Sequence, residues 1–169
     1  TQGLANYVIK ANPEKAKAGT LSAVIAYDSR NNSDVFAEAT ACIFAANGIK
    51  AYLFTGLRPT PELSFAIRQL KADTGVVVTA SHNPREYNGY KAYWRDGAQV
   101  IEPHDTGIIE EVNKVTDVKT ISKEDAIKAG TLVLIDKEID EKYWEMCKAQ
   151  LFRPALIKEY AKNVSIVYT

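Results

Sequence analysis

Residues 75–94 read GVVVTASHNPREYNGYKAYW. Gly75 to Ala80 holds apolar residues in succession rather than alternation, which suits a strand covered on both faces. From Ser81 to Lys91 the chain turns polar. A hydroxyl (Ser81), an imidazole (His82), two amides (Asn83, Asn88) and two cations (Arg85, Lys91) fall within eleven residues. Asn83-Pro84 and Asn88-Gly89 are turn signals. Parallel α/β sheets hold their ligands beyond the carboxyl ends of their strands, and this mixture of donors suits an anionic, phosphorylated one.

The segments on either side decide what kind of sheet this strand enters. Ser22 to Asp28 reads as a strand, with Val24, Ile25 and Ala26 apolar in succession. Ser33 opens a helix whose stripe reads Val35, Ala39, Cys42, Ile43 and Ala46, closed by Gly48. Lys50 to Thr55 is a second strand. Thr60 reads as the cap of the next helix, with Pro61 at its first position and Leu63, Ala66, Ile67 and Leu70 on one face. Strands separated by such helices imply right-handed crossovers and a parallel sheet. After the loop the pattern changes. Tyr90–Arg95 and Ala98–Ile101, joined by Asp96-Gly97, read as a hairpin. The expected fold is therefore α/β: a mixed, mostly parallel sheet sandwiched by helices, with an antiparallel hairpin at its edge.

Further on, Glu102–Val115 reads as a helix interrupted by Gly107. Ser122–Ala129 is a helix opened by Ser122 and Asp125 at capping spacing, and Leu132–Ile135 is a short strand. Ile139–Leu151 is a helix with Ile139, Tyr143, Met146, Cys147 and Gln150 on one side. Pro154 breaks the chain, and Val164–Thr169 reads as a strand that stops. Thr1 opens directly on a helical pattern, with Leu4, Tyr7, Val8 and Ala11 on one face, so both ends read as cut. The expected organisation is one domain over residues 1–137, then a linker helix and the first strand of an incomplete second domain over 138–169.

Composition narrows the function. Of 169 residues, Lys plus Arg and Asp plus Glu both number 21, so the basic excess expected of a nucleic-acid binder is missing. No apolar run reaches the length of a membrane span and no signal peptide opens the chain. Cys42 and Cys147 form no ligand cluster. Both read as buried free thiols on helix faces, which suits a reducing, cytoplasmic setting. His104, after Pro103, reads as a surface histidine. With two histidines and no cysteine cluster, a zinc site is not expected. Side chains adjacent on extended backbone point opposite ways, so Ser81 and His82 are not by themselves a nucleophile and its base.

Thr79-Ala80-Ser81-His82-Asn83-Pro84, followed by Tyr87-Asn88-Gly89-Tyr90-Lys91, resembles the phosphoserine loop of the α-D-phosphohexomutases. The run continuing into Ala92-Tyr93-Trp94 and Asp96-Gly97-Ala98-Gln99 is most similar to the bacterial phosphoglucomutase/phosphomannomutase and phosphopentomutase-like branch. Tyr27-Asp28-Ser29-Arg30 resembles the end of the family's first strand, and Arg58-Pro59-Thr60-Pro61-Glu62-Leu63 its loop into the second helix.

The resemblance implies that Ser81 is phosphorylated in the resting enzyme and that its phosphate gives one oxygen to a Mg²⁺. It places His82 and Lys91 beside the transferring phosphoryl group, with Asn83 and Arg30 in its vicinity. A phosphoserine carries roughly −1.5 to −2 charge. A free lysine, with a pKa of about 10.4, is an ammonium at neutral pH, so Lys91 suits an electrostatic clamp better than a general base. The implied activity interconverts sugar 1- and 6-phosphates through a sugar 1,6-bisphosphate. The implied partners are small sugar phosphates and the remaining domains of the same polypeptide. The family's Asp-x-Asp-x-Asp-Arg metal run is absent from these residues, so the other Mg²⁺ ligands, and turnover itself, are expected to need more than this chain. The competing reading is a non-catalytic module that binds a phosphorylated ligand or a partner. The residues do not say which sugar is used.

Overall fold

The computed structural model describes residues 1–167. Two helices, α1 (Gln2–Ala11) and α2 (Pro13–Ala18), precede the first strand, β1 (Ser22–Tyr27). Then come α3 (Ser33–Ala46), β2 (Lys50–Phe54), α4 (Thr60–Gln69), β3 (Thr74–Val78) and β4 (Tyr90–Trp94). The remainder is α5 (His104–Asn113), α6 (Lys123–Lys128), β5 (Leu132–Ile135), α7 (Lys137–Ala149), α8 (Pro154–Tyr160) and a 3₁₀ turn at Ala161–Asn163.

The five strands form one sheet in the order β4-β3-β1-β2-β5. β1 runs parallel to β2 and β3, and β5 parallel to β2, while β4 pairs antiparallel with β3. This is the mixed, mostly parallel sheet expected. Side chains alternate across it. Ala23, Ile25, Leu53, Val76 and Val78 join Leu4, Val8, Phe44 and Ile108 of α1, α3 and α5 in one core. Val24, Ala26, Phe54 and Val77 join Leu63, Ala66, Ile67 and Ile139 of α4 and α7 in the other. Helices therefore cover both faces, as the unbroken apolar runs of β1 and β3 require.

The hairpin is present in reduced form. Trp94 N–H donates to Ala98 O (2.9 Å) and Val100 N–H to Ala92 O (3.0 Å), with one bridge between Tyr93 and Gln99. Residues 98–101 do not extend into a strand. The turn holds Gly97 at φ 79°, a left-handed conformation that glycine adopts freely.

Several sequence expectations are corrected. The stripe on α3 is out of phase: Ser33, Ala37, Thr40, Ala41, Phe44 and Ala45 are buried with Cys42, whereas Val35 and Phe36 are exposed. Alanines lie all round this helix, so the sequence offers two apolar stripes, and the one carrying Phe44 faces the sheet. Thr60 is the first residue of α4 and its hydroxyl makes no cap bond. Cys147 is exposed, although Cys42 is buried. His104 is not a free surface group. Its ring stacks on Trp94 at 4.1 Å between centroids, and its Nδ1 lies 2.9 Å from the Tyr7 hydroxyl. Residues 164–167 form no strand, and the last two residues of that expected strand lie outside the described residues. Ser122 does cap α6, accepting from the Asp125 N–H at 3.1 Å. Among the described residues, no helix is long and apolar enough to cross a membrane.

Candidate functional site

The chain leaves β1 toward α3 on one face and leaves β3 toward β4 at the sheet edge. A crevice opens where neighbouring strands part in this way. Here β1 and β3 are the neighbouring strands that part, and the 79–89 loop leaves from the carboxyl end of β3.

Because β4 returns antiparallel, with Val78 opposite Tyr90 and Val77 opposite Lys91, the first residues of β4 lie beside the last residues of β3, where the loop departs. That register brings Lys91 to the loop: its Nζ donates to Ser81 Oγ at 2.6 Å. Thr79 N–H donates to Gly89 O at 3.0 Å and closes the loop. A Cβ on Gly89 would lie 2.5 Å from the Thr79 carbonyl oxygen, so the Asn-Gly turn needs its glycine for close approach. Ser81 has φ 56°, a left-handed conformation costing a non-glycine residue about 1–2 kcal/mol. Its N–H donates to Thr79 Oγ1 at 3.1 Å. Ser81, His82 and Asn83 are all exposed.

Arg30 reaches the same loop from β1, but from behind. Its Nη1 donates to the carbonyls of Asn83 (2.7 Å), Pro84 (2.7 Å) and Tyr87 (3.2 Å), its Nη2 to the carbonyl of Ser81, and its Nε to Asp28 Oδ2 (3.0 Å). Asp28 Oδ1 also accepts from the Arg30 N–H (3.1 Å) and the Ser33 hydroxyl (2.9 Å). Burial pulls the Asp28 carboxyl upward. The nearby Thr79 hydroxyl, hydrogen bonds from Arg30 and Ser33, and the Arg30 charge outweigh it and hold the group below the usual carboxylate range.

A second charged cluster lies beyond β2 and β5. Arg58 donates through Nε and Nη2 to the two oxygens of Asp140 (2.7 Å each) and through Nη2 to Asp136 (2.6 Å), tying the first turn of α7 to the loop before α4. Glu62 is buried against it, with Oε1 unpartnered. The sequence points to the Arg58–Leu63 segment only through its resemblance, and the link from there to α7 is not visible in it.

Among the described residues, no three or more His, Cys, Asp or Glu side chains are grouped to hold a metal. Mg²⁺ takes carboxylate and phosphate oxygens.

The fold is an α/β/α domain with an exposed serine on a loop beyond its central strands and a lysine of the next strand, β4, bonded to it. Comparison with known proteins gives the class its family. The model of the phosphoglucomutase/phosphomannomutase α/β/α domain I matches residues 1–119. A probable phosphoribomutase of Schizosaccharomyces pombe is 45% identical over 114 residues, covering 68% of this chain and 19% of that protein. Human phosphopentomutase is 33% identical over 177 aligned residues, covering 100% of this chain and 28% of its own length. The crystal structure of a putative phosphomannomutase from Thermus thermophilus superposes with a TM-score of 0.71 at 31% identity, over 92% of this chain and 33% of that one. The chain belongs to the phosphoglucomutase/phosphomannomutase family, and it spans about a fifth to a third of the length of these relatives.

Proposed function

We propose that this chain is the phosphoryl-carrying domain of a sugar-phosphate mutase that interconverts hexose 1- and 6-phosphates, with Ser81 as the carrier. The observation that supports it most directly is the 2.6 Å contact of the Lys91 ammonium with Ser81 Oγ at the carboxyl edge of the sheet. In the first transfer the bond from phosphorus to Ser81 Oγ breaks and a bond to a sugar hydroxyl oxygen forms. The proton released by that hydroxyl ends on Ser81 Oγ. The sugar 1,6-bisphosphate so formed then returns its other phosphoryl group to Ser81 by the reverse step. Lys91 faces the oxygen on which negative charge develops as the serine leaves, and stabilises it there. His82 and Asn83, exposed on the same loop, are the groups free to meet the phosphoryl oxygens. Mg²⁺, held by the serine phosphate together with donors from outside these residues, would neutralise charge on that phosphate.

The division at residue 137, the cytoplasmic setting, the remaining domains as partners and negligible turnover by these residues alone are part of the same reading. A cleft that admits sugar and excludes water must enclose the loop, and here the loop is open. The test is to incubate the chain with glucose 1,6-bisphosphate and map phosphate by peptide mass spectrometry. Phosphate on the peptide carrying Ser81, lost in Ser81→Ala, is the expected result. In the protein at its natural length Ser81→Ala abolishes turnover; near-normal activity of that variant overturns the proposal.

A further inference from the structure

Most of the loop's geometry is imposed from outside it. Residues 81–87 are all exposed, so packing does not hold them. The backbone bonds that do are few: Asn83 N–H to Ala80 O (3.2 Å), Tyr87 N–H to Pro84 O (3.0 Å) and Asn31 N–H to Arg85 O (3.1 Å). Against these, four carbonyls, of Ser81, Asn83, Pro84 and Tyr87, converge on the one guanidinium of Arg30, whose side chain is only 8% exposed. Asp28 holds that guanidinium. It also holds Ser33, whose hydroxyl lies 2.7 Å from Asn88 Oδ1, and Asn88 in turn donates to the Asn31 carbonyl at 2.6 Å.

We infer that Arg30 is a positioning residue: it fixes the left-handed Ser81 backbone, and with it the aim of Ser81 Oγ at Lys91, without itself contacting the phosphoryl group. The inference rests on Ser81 being the carrier. Two observations separate this role from direct phosphate binding. The Arg30 donors point at backbone oxygens, and both guanidinium edges are engaged. A lysine could not substitute, because a single ammonium cannot reach carbonyls spread over residues 81–87, whereas a planar fork can.

The test uses the protein at its natural length, with Ser81→Ala as the reference. Arg30→Met and Arg30→Lys are expected to lower kcat about a hundredfold, the scale set by a misplacement near 1 Å. KM for the sugar phosphate should stay within about threefold, since uniform substrate binding is untouched. Added methylguanidinium should restore turnover to Arg30→Ala in a saturable way and do nothing for Ser81→Ala. Where Arg30→Met lacks a cooperative melt, Arg30→Lys and the rescue decide. Full activity in Arg30→Lys, or a rise in KM with kcat unchanged, overturns the inference, because charge alone or direct binding would then be the role. An active Ser81→Ala overturns the carrier reading, and this inference with it. An inactive Ser81→Ala beside a fully active Arg30→Met overturns only the inference.

Discussion

Replacing Glu62 by glutamine will stabilise the fold above neutral pH and do so far less at pH 5. Glu62 is 3% exposed. Its Oε1 has no hydrogen-bond partner, and the nearest cation, Arg58 Nε, is 3.9 Å away and already bonded to Asp140. Burial first, and then the facing Asp140 carboxylate, push the Glu62 pKa from 4.5 up to about 7, with the Arg58 charge offsetting only part. Below pH 4.5 the group is protonated in both folded and unfolded chains. Between pH 4.5 and about 7 the unfolded chain ionises while the folded chain keeps its proton, so stability falls as pH rises through this window. The completed penalty is about 3 kcal/mol. Asp140 works the other way: its hydrogen bond with Arg58 lowers its pKa, so its contribution is lost only as pH falls below the ordinary aspartate range. Glutamine has no charge to lose, and its amide can donate to Asp140 and accept from Arg58. For a domain of this size about 3 kcal/mol moves Tm by roughly 6–12 °C. Thermal melts should show a gap of that order at pH 8, closing to about 2–3 °C at pH 5, on the same scale. An equal gap at both pH values, or a glutamine variant less stable at pH 8, would refute the reasoning.

Two further predictions concern the site and the thiols. Lys91→Met removes the ammonium 2.6 Å from Ser81 Oγ and should slow phosphoryl transfer from glucose 1,6-bisphosphate to Ser81 by about 10²–10³, as loss of one preorganised donor does; single-turnover labelling at the wild-type rate would remove the clamp from the mechanism. A disulfide exchange reagent at pH 8 should titrate Cys147, which is exposed, at once. Cys42 is 6% exposed, and burial, then Glu38, raise its pKa, so it should react only on unfolding; equal rates for the two thiols would contradict its place in the core.

The sheet is legible in the sequence because its strands are short apolar runs bounded by turns, a local signal that survives without knowledge of the partner strand. The phase of α3 is not, because an alanine-rich helix fits a sheet on more than one side and only the bulk of Phe44 decides. Val164, Ile166 and Val167 have strand-forming side chains, but a strand forms only when a neighbour accepts its hydrogen bonds, and residues 164–167 pair with no strand among the described residues. Pro13 and Pro154 each begin a helix. The second reads in the sequence as a break, although proline is tolerated in a first turn. At the site, Ser81 and Lys91 are legible because one loop and one register join them. The Arg30 clamp acts 51 residues away in sequence on the Ser81 carbonyl, and a sequence does not display which backbone oxygens need donors.

The two charged clusters bear on one another through the end of β1. Asp28 anchors Arg30 on one side, and its own N–H donates to Val78 O at 3.3 Å. The preceding residue, Tyr27, accepts from the Arg58 N–H at 3.2 Å and donates its hydroxyl to Thr55 O at 3.1 Å. The strand that positions the serine loop is thus also held by the loop carrying Arg58, the residue that docks α7 through Asp136 and Asp140. Two departures from the lowest-energy local choice, the left-handed Ser81 and the unpartnered Glu62 oxygen, lie at this carboxyl edge, next to strands β1 and β3 that are buried and regularly paired; the other left-handed non-glycine residues are Asn32, before α3, and Lys71, before β3. Local strain persists only where the surroundings over-determine it. Here the surroundings are the parallel sheet, whose regular pairing holds the ends of β1 and β3 fixed while the loops beyond them adopt conformations they would not take alone.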